Sequence, residues 1–464
     1  MRVYRDSKLR IPLGGKELPD QLMAELTQEL SVKNPAYLSV LKHGGSNAKY
    51  TTVPKYLELF EWTEDWFTLP REVTWLEDLF AAHGIPISIV DRTVAVKARF
   101  PELRVKLREQ QKAAINAFSR SGCLIMPTGE GKTITALALA AKLGMKTLVI
   151  THRQAILSSA WQKDIKTAFG IPARKVGLIQ GENCSIGRQF TLAMVQTLSK
   201  RDLEKLGKKF GFIIVDECHH AASETYTETV LELWGRHRLG ITATDKRSDG
   251  LESVMHAHMG PTLFRGEPKN IMPFSVYAVD TKCSYKPKKE DEDKPFNYNR
   301  CLDSLIDDSG RNLKIASYVA QNYLKNYSLV ITHRRRHVPI LKRALAAHGV
   351  GVATFHGGIS QERREGILRG VAKGKIHVVL ATMQTIKEGV DCPRLDRLFL
   401  ATSIAEPLDL TQVIGRVRRK HHDKRDVVVY DFLDSPIVSM YRHFMKRQMV
   451  YSELGASVEK ANFI

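Results

Sequence analysis

Leu124-Ile125-Met126-Pro127-Thr128-Gly129-Glu130-Gly131-Lys132-Thr133 passes from an apolar run into a glycine-bearing loop and then into an amphipathic segment beginning near Ile134. A phosphate-binding loop needs this order of strand, loop and helix. Backbone N–H groups of Thr128, Gly129, Glu130 and Gly131 would point at the phosphates, Lys132 would reach the β and γ oxygens, and the Thr133 hydroxyl would ligate magnesium. The strict pattern G-x-x-x-x-G-K-[ST] asks for glycine where Met126 stands, so the T-G-x-G-K-T core carries the signal.

About 80 residues on, Phe212-Ile213-Ile214-Val215-Asp216-Glu217-Cys218-His219-His220 is an apolar strand that ends in two carboxylates. Asp216 is placed to hold the magnesium through its water shell, and Glu217 to orient and deprotonate an attacking water. Two acids at a strand end are commonly a solvated turn; downstream of a phosphate loop they read as its catalytic partner. Cys218, His219 and His220 do not read as a zinc site, because adjacent residues on one short segment cannot close a tetrahedron and no partner pair is evident.

From about Leu107 onward, Val/Ile/Leu-rich runs alternate with stretches of helical period, the pattern of buried parallel strands and crossover helices. The predicted strands include Thr147 to Ile150, Phe212 to Val215, Ser328 to Ile331, Val378 to Ala381 and Val427 to Tyr430; helices include Ile134 to Leu143 and Val338 to His348, the latter stopped by Gly349. The pattern is α/β, doubly wound, and it occurs twice. The break lies near residues 266 to 300, where Gly266, Pro268, Pro273 and a mixed-charge run from Lys286 to Pro295 interrupt the periodicity. That run reads as a solvated loop, and only secondarily as a nucleic-acid contact.

The first hundred residues differ. Trp62, Trp66 and Trp75 cluster in sequence, Pro70 to Ala82 has helical spacing before Gly84, and Ile87 to Val90 and Thr93 to Arg99 alternate around Asp91-Arg92 as a hairpin would. A small mixed α+β accessory domain is expected, its aromatics core rather than base-stacking surface. The expected divisions are 1–103, 104–265 and 266–464.

Charge sits outside that accessory region. The chain nets +20, yet residues 1–103 carry 13 Lys and Arg against 14 Asp and Glu, leaving +21 to the rest. Such an excess points to a polyanionic partner. The six cysteines form no C-x-x-C pair, which fits a reducing compartment and argues against a disulfide framework. With 43% hydrophobic residues and no apolar run of membrane length, no membrane role is expected. Met1 to Arg10 is polar and basic without the apolar stretch of an export signal, so a cytoplasmic location is expected.

The ordered motifs resemble a superfamily 2 helicase with a DECH version of the DEAD/DEAH box, over roughly Leu107 to Arg419. The resemblance implies two RecA-like domains that use ATP and Mg2+. It puts Gln111, in Leu107-Arg108-Glu109-Gln110-Gln111, on the adenine as a Q motif. Thr151-His152-Arg153 and Gln196-Thr197 fall at motifs that touch the nucleic-acid backbone, and Thr242-Ala243-Thr244 at the motif that couples ATP state to domain movement. In the second half, His356-Gly357-Gly358 and Ala381-Thr382 through Glu388-Gly389-Val390-Asp391 resemble motifs IVa and V, which implies nucleic-acid contacts at His356 and Thr382 and nucleotide contacts at Gly389 and Asp391. Gln412 to Arg419 resembles motif VI, with Gln412 in coupling and arginine fingers at Arg416 and Arg419. A guanidinium brought across a cleft neutralises phosphoryl charge only on closure, which agrees with that role.

The stretch Gly240 to Leu251 is similar to the subgroup containing XPB, the phage protein UvsW and restriction-enzyme motor subunits, with Asp245 where that subgroup usually has proline. The compact length and small N-terminal domain look most like phage branch-migration helicases. The resemblance thus implies a DNA helicase or translocase, active as a monomer on branched or forked DNA in replication, recombination or repair. The alternatives are an RNA helicase or the motor subunit of a nuclease complex.

Overall fold

The computed structural model describes all residues except 15–17, 44–50, 128, 153–159, 220–223, 245–249, 270, 288–294, 388–391 and 462–464. The chain divides into two compact units, Met1–Pro268 and Lys269–Ile464.

The first unit is built on an eight-stranded sheet in the order Asn183–Cys184, Gly177–Gln180, Phe190–Met194, Thr147–Thr151, Phe212–Asp216, His237–Thr242, Gly122–Ile125, Thr262–Arg265. All neighbours are parallel except the short strand Asn183–Cys184 at one edge. Successive side chains of a strand point to opposite faces, and here both faces are covered. Phe212 and Ile214 join one core with the helices Lys132–Leu143 and Gln162–Phe169, while Ile213 and Val215 join another on the opposite side. Continuous apolar runs therefore become strands with no wet face.

The second unit repeats the plan with seven strands, all parallel, in the order Ala353–Phe355, Val378–Thr382, Ser328–Thr332, Arg397–Leu400, Val428–Leu433, Ser275–Asp280, Val458–Lys460. The long helix Val438–Glu453 leaves the end of Val428–Leu433 and packs back along it.

Residues before 103 form a five-stranded sheet with a core of Val3, Leu9, Ile11, Phe67, Leu69 and Phe80. They are not separate from the first unit. Arg71 is fully buried and donates to the carbonyls of Asp6 (3.0 Å) and Gly235 (2.7 Å). Arg238 is likewise buried and donates to Ser7 (2.8 Å), Val230 (2.8 Å), Leu233 (3.0 Å) and His258 (3.2 Å). Each guanidinium thus ties the N-terminal sheet to the parallel one.

Two sequence expectations fail here. The hairpin around Asp91-Arg92 does not form: Ser88–Asp91 pairs in parallel with Arg2–Arg5, and the next residues run along the larger sheet, bridging Val94 to Gly235 and Lys97 to Met145. A type I′ hairpin turn requires positive φ at both central residues, which Arg92 does not readily take, and Asp91 Oδ1 instead accepts from Thr93 N at 2.8 Å. The helix expected from Pro70 begins only at Leu76, because Arg71 is drawn into the interior. Of the aromatics, Trp75 packs on the N-terminal core and Trp66 meets Tyr4 edge-on at 5.7 Å, whereas Trp62 is 59% exposed. Among the described residues no helix is long and apolar enough to cross a membrane.

Arg238→Met should destabilise the protein by about 3–5 kcal/mol, since it strands four buried carbonyls and removes the charge that Glu72 and Glu232 compensate. The urea midpoint measures this; a loss below about 1 kcal/mol would show that the two sheets hold together without it.

Candidate functional site: a carboxylate pair beside a phosphate loop

The buried strand Gly122–Ile125 delivers Met126, 0% exposed, to the loop, and the helix Lys132–Leu143 starts directly after it. Gly129 (φ 93°) and Gly131 (φ 82°) take left-handed conformations that glycine adopts without strain. At Gly131 space also forbids a side chain: a Cβ would lie 2.3 Å from Gln111 Nε2. Gln111 is buried and its amide is engaged at both ends, Oε1 accepting from Arg108 N (2.8 Å) and Nε2 donating to Gly131 O (3.2 Å). Arg108, which the sequence reading passed over, donates to Gly129 O at 3.1 Å and lies 3.7 Å from the Glu130 carboxylate. Lys132 Nζ donates to Met126 O at 3.2 Å, and Thr133 follows half-buried. Thr128 lies outside the described residues.

Phe212–Asp216 ends one strand away from His237–Thr242, which in turn neighbours Gly122–Ile125, so parallel pairing alone brings Asp216, Thr242 and the loop to one sheet edge. Asp216 is buried; Oδ2 accepts from Trp161 Nε1 (2.9 Å) and Oδ1 from Glu217 N (3.0 Å). Burial and then the Glu217 charge push its carboxyl up to about 6, against the pull of the Trp161 hydrogen bond and Lys132. Trp161, fully buried at the start of the helix Gln162–Phe169, is a partner the sequence did not announce. Glu217 has φ 50°, a conformation rarely held by a residue with a Cβ, and its Oε2 is buried with no hydrogen bond. His219 Nδ1 lies 3.5 Å from that oxygen and 2.8 Å from Thr242 Oγ1. Since Thr242 Oγ1 donates to Thr244 O (2.8 Å), the His219 ring nitrogen is the donor to Thr242. The expected coupling residues Thr242 and Thr244 are thus joined by hydrogen bonds to His219, whose ring lies beside Glu217.

At the same sheet edge, Gln196 Nε2 donates to His152 O (3.4 Å) and Thr197 Oγ1 accepts from Gly181 N (3.2 Å), so His152, Gln196 and Thr197 end neighbouring strands. Arg153 lies outside the described residues.

In the second unit, Gly358 N donates to His356 Nδ1 at 3.2 Å. A Cβ on Gly358 would lie 2.4 Å from the Arg335 guanidinium. Burial and then Arg335, Arg364 and Arg363 hold the His356 imidazole below its usual range, marking a cationic surround. Thr382 Oγ1 is 2.7 Å from Thr385 Oγ1. Gly389 and Asp391 lie outside the described residues. Gln412 and Arg416 stand on the helix Pro407–Val417, with Arg419 just beyond. Arg418 between them is structural: it donates to Met272 O (2.8 Å) and Leu454 O (3.2 Å) and covers the Phe274 ring. Lys424 is buried and donates to Val417 O (2.6 Å) and Arg419 O (2.8 Å), clamping the turn that carries Arg419, although burial pushes its ammonium down to about 8.

Residues 104–247 match the family model described as Type III restriction enzyme, res subunit, and residues 312–421 match the Helicase conserved C-terminal domain. The chain belongs to helicase superfamily 2. It is accordingly an ATP-dependent, nucleic-acid-binding helicase, a hydrolase. The Escherichia phage T5 protein named Probable helicase D10 is 27% identical over 78% of this chain and 80% of its own. The DNA 3'-5' translocase XPB2 of Sulfurisphaera tokodaii is 24% identical over 73% of this chain and 85% of its own. Among solved structures, S. cerevisiae Dbp5 bound to RNA and ADP BeF3 superposes with a TM-score of 0.54 at 13% identity, covering 76% of this chain and 90% of that one, which fixes the fold as RecA-like.

Lys424→Met should cut nucleic-acid-stimulated ATPase at least fivefold with little change in KM for ATP, because the turn bearing Arg419 loses both donors while the first unit is untouched. Steady-state kinetics of parent and variant decide it; an unchanged kcat would separate the clamp from turnover.

Proposed function

We propose that this helicase is a DNA helicase or translocase that hydrolyses ATP with Mg2+ and, as a monomer, remodels forked or four-way-junction DNA in replication, recombination or repair. The observation that carries the ATP chemistry is the Asp216-Glu217 pair beside Lys132, with one buried Glu217 oxygen lacking a hydrogen bond. Two adjacent carboxylates, one of them buried, suit a hard divalent cation with oxygen ligands. Asp216 and Thr133 would hold Mg2+, which when bound supplies charge neutralisation on the phosphates. Gln111 would face the adenine, residues 128–131 with Lys132 would hold the phosphates, and Glu217 would take a proton from the attacking water. Gly389 and Asp391 would contact the nucleotide from the second domain. Arg416 and Arg419 would neutralise the transferring phosphoryl group on closure, with Gln412 in coupling. His152, Arg153, Gln196, Thr197, His356 and Thr382 would follow the nucleic-acid backbone. DNA rather than RNA is supported by the subgroup motif at Gly240 to Leu251 and by the similarity to the DNA 3'-5' translocase XPB2.

The domain boundaries expected from sequence fit a division of labour in which residues 1–103 choose the substrate and the rest supplies the motor. That region nets -1, so its contribution must come from local contacts or shape rather than bulk phosphate attraction.

Lys132→Ala should abolish ATP turnover and keep salt-sensitive DNA binding, while Glu217→Gln should keep ATP and DNA affinity yet lose hydrolysis, since an amide cannot accept the proton. Turnover within tenfold of the parent in either variant would remove that residue from its role. Comparing ATPase stimulation by single-stranded, duplex and four-way-junction DNA and by RNA tests the substrate; stimulation by RNA alone would overturn the DNA assignment.

A further inference from the structure

We propose that the second unit carries a preformed surface that stacks and tracks single-stranded DNA, built from Tyr285, Phe296 and Tyr298 together with the outer face of the helix Val438–Glu453. The proposal rests on the nucleic-acid motor reading above and adds a strand-binding site outside the helicase motifs.

The platform is held from beneath. Cys301, Leu305, Ile437 and Met440 form a small core under Tyr285 and Tyr298, and Arg300 donates to Pro295 O at 2.7 Å, which fixes the turn before that helix. On this base Tyr285 meets Phe296 edge-on at 5.8 Å, and Tyr298 leans on His443 at 5.3 Å. Phe296 is 54% exposed, although its neighbours hold it in place.

From His443 the surface continues around the long helix. Val438, Tyr441, Met445 and Met449 recur at helical spacing and face outward, Met449 at 68% exposure, while Met440, Phe444, Arg447 and Tyr451 face the core. Arg442 and Lys446 occupy the sector between His443 and that stripe, both exposed and without an ion pair among the described residues. No acidic residue occurs from Val438 to Met449.

The occupant follows from charge and place. A second copy would set Arg442 and Lys446 against like charge, and residues 269–464 carry 33 Lys and Arg against 21 Asp and Glu, so the complementary partner is a polyanion. The helix starts where Val428–Leu433 ends, and in an all-parallel sheet this is the edge at which Thr332-His333 and Thr382 also emerge. Exposed aromatics interleaved with unpaired cations suit unstacked bases on a charged backbone.

The test uses the full chain and a (dT)20 oligonucleotide, with anisotropy read across a salt series. The double variant Phe296→Ala/Tyr441→Ala should weaken binding about tenfold for each stacked base with the salt slope unchanged. Arg442→Gln/Lys446→Gln should make the slope of log K against log salt shallower by about 1.4, two contacts at roughly 0.7 each. DNA-independent ATPase and melting temperature should match the parent in both, as these side chains face solvent. If the parent binds (dT)20 and both variants keep its affinity within twofold and its slope, the surface serves another partner and the inference is overturned, with the motor reading intact. A parent that hydrolyses ATP yet does not bind (dT)20 at all also overturns it. A parent without DNA-stimulated turnover would instead sink the motor reading on which it rests.

Discussion

One buried charge organises the first unit. An ionised carboxylate held away from water costs several kcal/mol unless partners replace its hydration, and Asp216 is buried at the end of a central strand. Its compensation comes from three directions: Trp161 from the head of a helix, the Glu217 amide from a residue held at φ 50°, and Lys132 from the phosphate loop. Even together they do not offset burial and the Glu217 charge, which leave the carboxyl near 6. A site whose anions are undercompensated by the protein favours a cationic ligand, and the neighbouring Glu217 oxygen without a hydrogen bond has the same consequence. The strain at Glu217 and the raised Asp216 carboxyl are thus two signs of one arrangement, in which folding concentrates negative charge beside Lys132.

The strands and the loop were legible because each depends on a short, local pattern. Phe212 to Val215 reads as a strand from four residues, and its two-sided burial requires no knowledge of partners. The roles that remained hidden belong to residues whose significance is long-range. Trp161 lies 55 positions from the carboxylate it donates to, and nothing in its neighbourhood marks it as more than a core aromatic. Arg108 sits in the Q-like stretch but acts on a loop 21 residues away. The hairpin expectation at Asp91-Arg92 failed for the same reason in reverse: alternation identified the strand at Ser88–Asp91, whereas Thr93 to Arg99 makes only isolated bridges, and the partners of both were set far along the chain. At Thr128, Arg153, Gly389 and Asp391, outside the described residues, the sequence pattern stands alone.

The N-terminal region illustrates how composition and structure answer different questions. Its charge balance and aromatic content set it apart from the rest of the chain, and it has its own sheet and core. Yet Arg71 and Arg238 are each buried between it and the parallel sheet, and each satisfies main-chain carbonyls from both. A guanidinium is suited to this because its five donors can serve several carbonyls at fixed angles. Such a joint is rigid, and it places any surface of the N-terminal sheet in a constant position relative to the phosphate loop.

The arginines of the second unit show why residue type alone does not assign a role. Arg447 is buried and bidentate on Asp431, with Nε–Oδ2 and a terminal nitrogen–Oδ1 both 2.8 Å, while Tyr451 donates to the same carboxylate at 2.7 Å. Arg418 is spent on two main-chain carbonyls and an aromatic face. Both are charges fixed in place by hydrogen bonds made within the fold. Arg416 and Arg419 flank Arg418 and emerge half-buried from the same helix end, whose terminal carbonyls Lys424 holds in place. The anchored Arg418 and the Lys424 clamp together fix the backbone from which both of these side chains project. A fixed backbone of that kind lowers the reorganisation a side chain must undergo when charge develops beside it, which is why main-chain anchoring next to a cationic position matters as much as the cation itself.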